Sequence, residues 1–72
     1  MRCFYSKVSF DHKDNTCADI YLYRKVGGWY KVEITHLTMF DNILSQKVEK
    51  FGTLKDAKNF YLNMIIRELS TM

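Results

Sequence analysis

Two consecutive glycines, Gly27 and Gly28, limit the folds open to this chain more than any other feature of its sequence. They interrupt the stretch 18–37, in which β-branched and aromatic residues are frequent on both sides of the pair. Arms of this composition around a short glycine turn are typical of a β-hairpin. The stretch therefore predicts two antiparallel strands joined at the glycines.

The length of the hairpin loop decides which side chains face the core. A two-residue loop made of both glycines places Leu22 opposite Glu33 and mixes apolar with charged side chains on each face. A three-residue loop, 26–28, places Leu22 opposite Val32 and separates the two classes. Such a loop needs a left-handed residue at its end, a conformation that Gly28 adopts without steric cost. Because a slip of one residue exchanges the two faces of a strand, we predict the three-residue loop.

This register divides the hairpin into a core-facing half and an outward-facing half. The predicted core-facing side chains are Ile20, Leu22, Tyr30, Val32 and Ile34. The predicted outward-facing side chains are Tyr21, Tyr23, Lys25, Trp29, Lys31, Glu33 and Thr35. A strand earlier in the chain, with the same alternation, would add Tyr5 and Lys7 to the outward face.

The rest of the chain supplies neighbours for the hairpin. Residues 11–16, DHKDNT, are typical of a turn. Thr53 is placed to cap a helix that carries a stripe of apolar residues at helical spacing. The segment 38–48 is compatible with the start of a strand and with a short helical turn. The predicted elements are strands at about 2–10, 17–26, 29–37 and 43–51, and a helix at about 54–69.

These elements predict one domain over residues 1–72. Its fold class is α+β: an antiparallel meander of three or four strands with one C-terminal helix packed on one face, in the order βββα or ββββα. The apolar arc of the helix is wider than one sheet face can cover, because Leu62 and Ile66 extend beyond its main stripe. These two residues either tuck under the 37–44 connection or form a second contact surface.

Charge and hydropathy narrow the function classes. The net charge of +3 is spread evenly, since residues 1–37 hold six basic and four acidic side chains and residues 38–72 hold five and four. The chain therefore lacks both the basic stripe of a dedicated nucleic-acid-binding domain and the acidity of a DNA mimic. No stretch approaches the ~20 apolar residues of a membrane span, and the first residues lack the apolar segment of a signal peptide. We expect a cytoplasmic protein with no membrane partner.

Two cysteines and two histidines raise the question of a zinc site. Their positions, Cys3, His12, Cys17 and His36, do not match the closely spaced ligand pairs of structural zinc sites. A chain reversal near 13–14 also separates Cys3 from Cys17 by about seven residues of ~3.3 Å each, beyond the ~7 Å that a disulfide spans. The sequence predicts no metal, no cofactor and reduced cysteines.

The motifs of catalysis are missing as well. His12 falls in a predicted exposed turn and His36 at a strand end, and neither has an obvious pairing with a cysteine or serine and a carboxylate. The chain has no phosphate-binding glycine loop and no HExxH motif. A 72-residue domain also leaves little room for a deep pocket. We therefore expect a protein without enzymatic activity.

The outward face of the hairpin is the remaining candidate site. Its predicted binding residues are Tyr5, Lys7, Tyr21, Tyr23, Lys25, Trp29 and Lys31. Aromatic rings between lysines suit a protein interface, and they also suit base stacking combined with phosphate contacts. Tyrosine and lysine are equally common on strands that contact only solvent. Asp19 and Glu33 reduce the positive potential of this face, so protein contact is favoured over nucleic acid.

No motif in the chain is specific enough to indicate a family. Its profile, a single small domain without catalytic motifs, is similar to that of accessory proteins from phage and other mobile elements, many of which bind and inhibit a host protein. The resemblance implies a non-enzymatic binding protein that inhibits a host system by occupying a surface of a larger protein or protein–nucleic acid assembly. The alternative is a nucleic-acid-binding module that uses the same face. A homodimer through Leu62 and Ile66 is a further expectation.

Overall fold

The β-rich segments of the sequence form one antiparallel sheet, and a helix follows them. The computed structural model describes residues 4–40 and 42–70, with the side chains of residues 4 and 5 excepted. The elements are β1 (Phe4–Asp11), β2 (Thr16–Lys25), β3 (Trp29–Thr38), β4 (Ile43–Phe51) and α1 (Leu54–Ser70). The strand order in the sheet is β1-β2-β3-β4, so each strand pairs with its neighbour in sequence. The predicted α+β fold is confirmed in its four-stranded form.

The central hairpin, β2–β3, has the predicted register. Leu22 pairs with Val32, and the strands close at Lys25 and Trp29 around a three-residue loop. Gly28 has a φ of +81°, as the loop requires, and Gly27 also has a positive φ of +99°. The N–H of Gly28 donates to the carbonyl of Lys25 at 3.3 Å. A hydrogen bond across four residues with a positive φ at the third is typical of a type II turn, which explains why both glycines are needed.

The turn between β1 and β2 is closed by short-range hydrogen bonds. The N–H of His12 donates to the carbonyl of Thr16 at 2.8 Å, and Asn15 adopts a φ of 66°. The carboxylate of Asp14 accepts hydrogen bonds from the hydroxyl and the N–H of Thr16. The hydroxyl hydrogen bond is the main reason why the pKa of Asp14 lies below its ordinary value.

The core lies between the sheet and α1, on the face predicted from the register. Its buried members are Phe10, Ala18, Ile20, Leu22, Val32, Ile34, Ala57 and Tyr61. Tyr30, predicted to face the core, packs against this cluster while partly buried. Burial of one Ile or Leu side chain stabilises a fold by about 1.5–3 kcal/mol, so the four aliphatic residues of the hairpin hold the helix in place. The Tyr61 hydroxyl shares a hydrogen bond of 2.9 Å with Ser6 and links α1 to β1.

The helix begins with the predicted cap. The hydroxyl of Thr53 accepts a hydrogen bond from the N–H of Asp56 at 3.3 Å, and the acidic side chain of Asp56 lies in the first turn, where the helix dipole favours negative charge. The helix has 17 residues. In the part of the chain that the structure describes, no helix is long and apolar enough to cross a membrane.

The segment after β3 contains no helical turn within its described residues. Residues 39 and 40 form a turn and β4 begins at Ile43. Leu62 and Ile66 remain 52% and 59% exposed on α1. The idea that the 37–44 connection covers them is therefore wrong. The reason is geometric: the sheet packs against the opposite side of the helix, where Ala57 and Tyr61 are buried.

Candidate binding face

The outward face of the sheet gathers aromatic and lysine side chains from all four strands. Direct cross-strand pairs bring them together: Lys7 with Tyr21, Tyr23 with Lys31, Lys25 with Trp29, and Lys31 with Lys50. We call these seven residues the aromatic–lysine cluster: Lys7, Tyr21, Tyr23, Lys25, Trp29, Lys31 and Lys50. Six of them were predicted from the sequence, and Lys50 was missed because β4 had no assigned register. Tyr5 lies at a register shift in β1, and its side chain is outside the described residues.

Each lysine of the cluster places its ammonium group over an aromatic ring. The Nζ atoms of Lys31 and Lys25 lie 4.5 and 5.7 Å from the centroid of the Tyr23 ring. The Nζ of Lys7 lies 5.2 Å from the ring of Tyr21. The Trp29 ring has two such neighbours, Lys50 at 5.4 Å and Lys25 at 6.0 Å. These are cation–π distances, and each contact contributes about 0.5–1 kcal/mol at an exposed site.

Tyr23 lies on this face but is only 2% exposed. Its ring stacks on that of Tyr21 with the centroids 5.6 Å apart and the planes 15° apart, and its hydroxyl donates to Glu33 at 3.1 Å. The apolar stems of Lys25 and Lys31 can cover the ring while their ammonium groups stay in water. Tyr23, predicted as an outward-facing binding residue, therefore lies on the predicted face but with its side chain buried. Tyr21 and Trp29, which are partly exposed, present the aromatic surface of the cluster.

Glu33 and Gln46 border the cluster on the side away from the glycine loop. Gln46 donates its amide to the Glu33 carboxylate at 2.7 Å and to the Thr35 hydroxyl at 3.3 Å. Glu33 thus accepts hydrogen bonds from both Tyr23 and Gln46. Its charge lies beside the lysines as predicted, but the carboxylate is engaged within the sheet. The positive charge is therefore concentrated at the glycine-loop end of the face.

A second group of polar side chains lies on the helix side of the sheet. The Glu68 carboxylate bridges two histidines: one oxygen is 2.8 Å from Nε2 of His12 and the other is 2.7 Å from Nε2 of His36. The side chains of His12 and Glu68 are only 13% and 15% exposed. The Nδ1 of His36 is 3.1 Å from the hydroxyl of Ser45, its cross-strand partner. We call His12, His36, Ser45 and Glu68 the Glu68 network.

The sequence predictions missed the Glu68 network. His12 was expected in an exposed turn, and neither histidine was expected to pair with a carboxylate; both expectations are wrong. The signal was the position of Glu68, seven residues after Tyr61, which puts it on the buried side of α1. A carboxylate on that side needs a partner, because burial of an unpaired charge is unfavourable.

The described residues contain no group of three or more histidine, cysteine, aspartate or glutamate side chains placed to hold a metal ion. Cys3, one of the residues considered for zinc, lies outside the described residues. No family model matches the chain, and no curated protein or solved structure matches it either. Function is therefore inferred from the geometry of the two sides of the sheet.

Proposed function

We propose that the chain is a small binding protein whose aromatic–lysine cluster contacts an acidic surface of a larger protein. The observation that supports this proposal most directly is the placement of Lys7, Lys25, Lys31 and Lys50 within 6.0 Å of ring centroids on one face. Lysines held over rings lose less side-chain freedom when they meet carboxylates, so the entropy lost on binding is smaller. Aromatic residues are also enriched where protein interfaces concentrate their affinity.

The proposal includes the biological setting implied by the profile of the chain. A cytoplasmic accessory protein of a phage or mobile element would inhibit a host system by occupying that acidic surface, on a protein or on a protein–nucleic acid assembly. Trp29 and Tyr21 would anchor the contact, and the lysines would speed the encounter electrostatically. Tyr23 would support Tyr21 from within the sheet, because the two rings are stacked.

Matched charge reversals test the proposed surface. Lys50→Glu changes the charge beside Trp29, and Lys55→Glu makes the same change at an exposed position of α1. Proteins captured from the host lysate by the native chain should be lost with Lys50→Glu and Trp29→Ala but retained with Lys55→Glu. Circular dichroism should show that all the variants remain folded. A partner captured equally by all four proteins would rule out this face.

Nucleic acid is the alternative partner for the same cluster, because its ammonium groups could meet phosphates. The rings of Tyr23 and Trp29 each have two lysines over them, so bases could stack only after those lysines moved. Phosphate contact would make log affinity fall with log salt by about 0.7 per neutralised phosphate on a single strand. Titration of a labelled oligonucleotide at several salt concentrations measures this slope. No binding at low salt would eliminate the alternative.

The exposed stripe on α1 supports a second part of the proposal, self-association into a homodimer. Leu62, Ile66 and Leu69 are 52%, 59% and 56% exposed and lie one turn apart on one side of the helix. Association would remove this apolar surface from water. Sedimentation at increasing concentration should detect a dimer that Ile66→Lys abolishes. A strict monomer at high concentration would remove this part of the proposal and leave the first intact.

A further inference from the structure

A cleft separates the first half of β4 from the second half of α1 on the helix side of the sheet. Its volume is about 370 Å³, which lies within the range of small-molecule sites. Ser45, His36 and Glu68 line the cleft, and Lys47 and Arg67 add positive charge. Ile34 and Met64 add apolar side chains to the lining. A 72-residue chain was expected to leave little room for a deep pocket, and the structure has a surface cleft of this volume.

The hydrogen positions in the Glu68 network follow from its chemistry. An ionised carboxylate can only accept hydrogen bonds, so Nε2 of His12 and Nε2 of His36 must each carry a hydrogen and donate it to Glu68. In neutral His36 the other nitrogen, Nδ1, then has a lone pair. This lone pair accepts the hydroxyl hydrogen of Ser45 at 3.1 Å. The resulting chain is a hydroxyl beside a base that a carboxylate orients.

The backbone next to Ser45 departs from regular strand geometry. The register between β3 and β4 shifts so that His36 pairs with Ser45 and Leu37 pairs with Ile43, which leaves Leu44 as the extra residue. Bulges of this kind re-aim neighbouring side chains and are common beside active sites. Ser45 is exposed and lines the cleft, so its hydroxyl is accessible to a molecule bound there.

We propose that Ser45 is the nucleophile of an acyl-transfer site that accepts small carboxylic esters. The apolar acyl group would contact Ile34 and Met64. Arg67, which lines the cleft beside Glu68, would stabilise the negative charge that develops on the carbonyl oxygen. Ser45 and His36 are the catalytic residues, and Glu68 is a positioning residue that holds His36 in the required tautomer.

In the acylation step, Oγ of Ser45 bonds to the carbonyl carbon while its proton moves to Nδ1 of His36. The bond from that carbon to the alcohol oxygen breaks, and the proton passes from His36 to the departing alcohol. Water then attacks the acyl-serine with the same base. This second step releases the carboxylic acid and restores the Ser45 hydroxyl.

This site lies on the opposite face of the sheet from the aromatic–lysine cluster and goes beyond the proposed binding function. It departs from the expectation of a protein without enzymatic activity. Neither proposal depends on the other, because no residue is shared between the two sites.

An alkyl fluorophosphonate tests the nucleophile directly in the full chain. The Ser45 oxygen would bond to phosphorus and displace fluoride, and peptide mass mapping would locate the adduct on Ser45. Ser45→Ala should abolish labelling, whereas Ser9→Ala, a change at another exposed serine, should leave it unchanged. No adduct on the native chain, or an adduct elsewhere that Ser45→Ala retains, would overturn the proposal.

The rate of p-nitrophenyl acetate hydrolysis then shows whether Glu68 positions His36 for catalysis or only stabilises the fold. Glu68→Gln keeps one acceptor oxygen, and we expect its acylation rate to fall by about 10²–10⁴-fold through loss of the oriented base. Glu49→Gln, the same change at a β4 carboxylate that does not line the cleft, should nearly retain the native rate. Equal rate losses in both variants, in step with their losses of stability, would contradict the assigned roles.

Discussion

The helix-covered face of the sheet buries Ile20 and Val32 completely, whereas the outward face buries Tyr23 with no helix over it in the described chain. The first face excludes water by packing aliphatic side chains against α1. The second holds its central ring between lysine stems, a stacked tyrosine and a carboxylate. A four-stranded sheet with one helix can therefore hold side chains in fixed positions on both of its faces. On the outward face this is achieved by electrostatic contacts, which added salt or substitution of a charged residue can weaken.

The largest loss of stability is expected from a substitution on the helix-covered face. Ile20→Ala should lower the free energy of unfolding by about 2–5 kcal/mol, because the side chain is fully buried and leaves a cavity. Ile66→Ala, the same change at a residue 59% exposed on α1, should stay within about 0.5 kcal/mol. Urea denaturation followed by circular dichroism measures both. Similar losses in the two variants would show that burial in the core does not decide stability.

The second-largest loss of stability is expected at the Glu68 network, on the helix-covered face. Polar contacts replace apolar packing there. Glu68→Ala removes both histidine contacts and should lower the free energy of unfolding by about 3 kcal/mol, since hydrogen bonds to charged groups contribute about 1.5–3 kcal/mol each. Glu49→Ala is the control, because Glu49 has no ion pair or side-chain hydrogen bond with any described residue. Equal stability of the two variants would mean that α1 is held by the apolar core alone.

A smaller loss is expected on the outward face. Tyr23→Phe removes only the hydroxyl that donates to Glu33, and it should lower the free energy of unfolding by about 1 kcal/mol. Tyr30→Phe should change it very little, because the Tyr30 hydroxyl makes no hydrogen bond in the described structure. The same denaturation assay compares them. A neutral Tyr23→Phe would show that the buried ring needs no polar partner.

The smallest effect is expected in the β1–β2 turn, as a dependence of stability on pH. The pKa of Asp14 is lowered by its hydrogen bonds with Thr16, so the folded state favours the charged carboxylate. This contribution is present above the ordinary aspartate pKa of about 3.9 and is lost as pH falls through the lowered value. Native protein should therefore exceed Asp14→Asn in thermal stability at neutral pH and match it at about pH 2. Thr16→Val should remove the same dependence, and a difference that persists in acid would point to another cause.

The sequence predicted the features that depend on local spacing. Alternation of apolar residues around Leu22 and Val32 settled the hairpin register, and Thr53 before an apolar stripe settled the helix start. Each of these signals lies within a few residues of the feature that it determines. The left-handed conformation of Gly28 followed from the same register argument.

Features that depend on distant contacts could not be predicted in this way. The alternation of side chains along β2 places Tyr23 on the outward face, where exposure is expected. Its burial depends on Lys25 of its own strand and Lys31 of the neighbouring strand. The contacts of Glu68 with His12 and His36 join residues 56 and 32 positions apart. Such pairs become visible only when the packing of α1 across the sheet is known. The sequence could therefore place Glu68 on the buried side of α1, but it could not identify the histidines that the carboxylate contacts.

The strand order has a consequence for the path of folding. Because each strand pairs with its neighbour in sequence, the sheet can grow one hairpin at a time through short loop closures. The contact between Glu68 and His12 instead closes a loop of 56 residues, and it can form only after α1 has docked. We therefore expect the sheet to assemble before the helix settles on it. Removal of the Glu68 carboxylate should then accelerate unfolding and leave the folding rate almost unchanged.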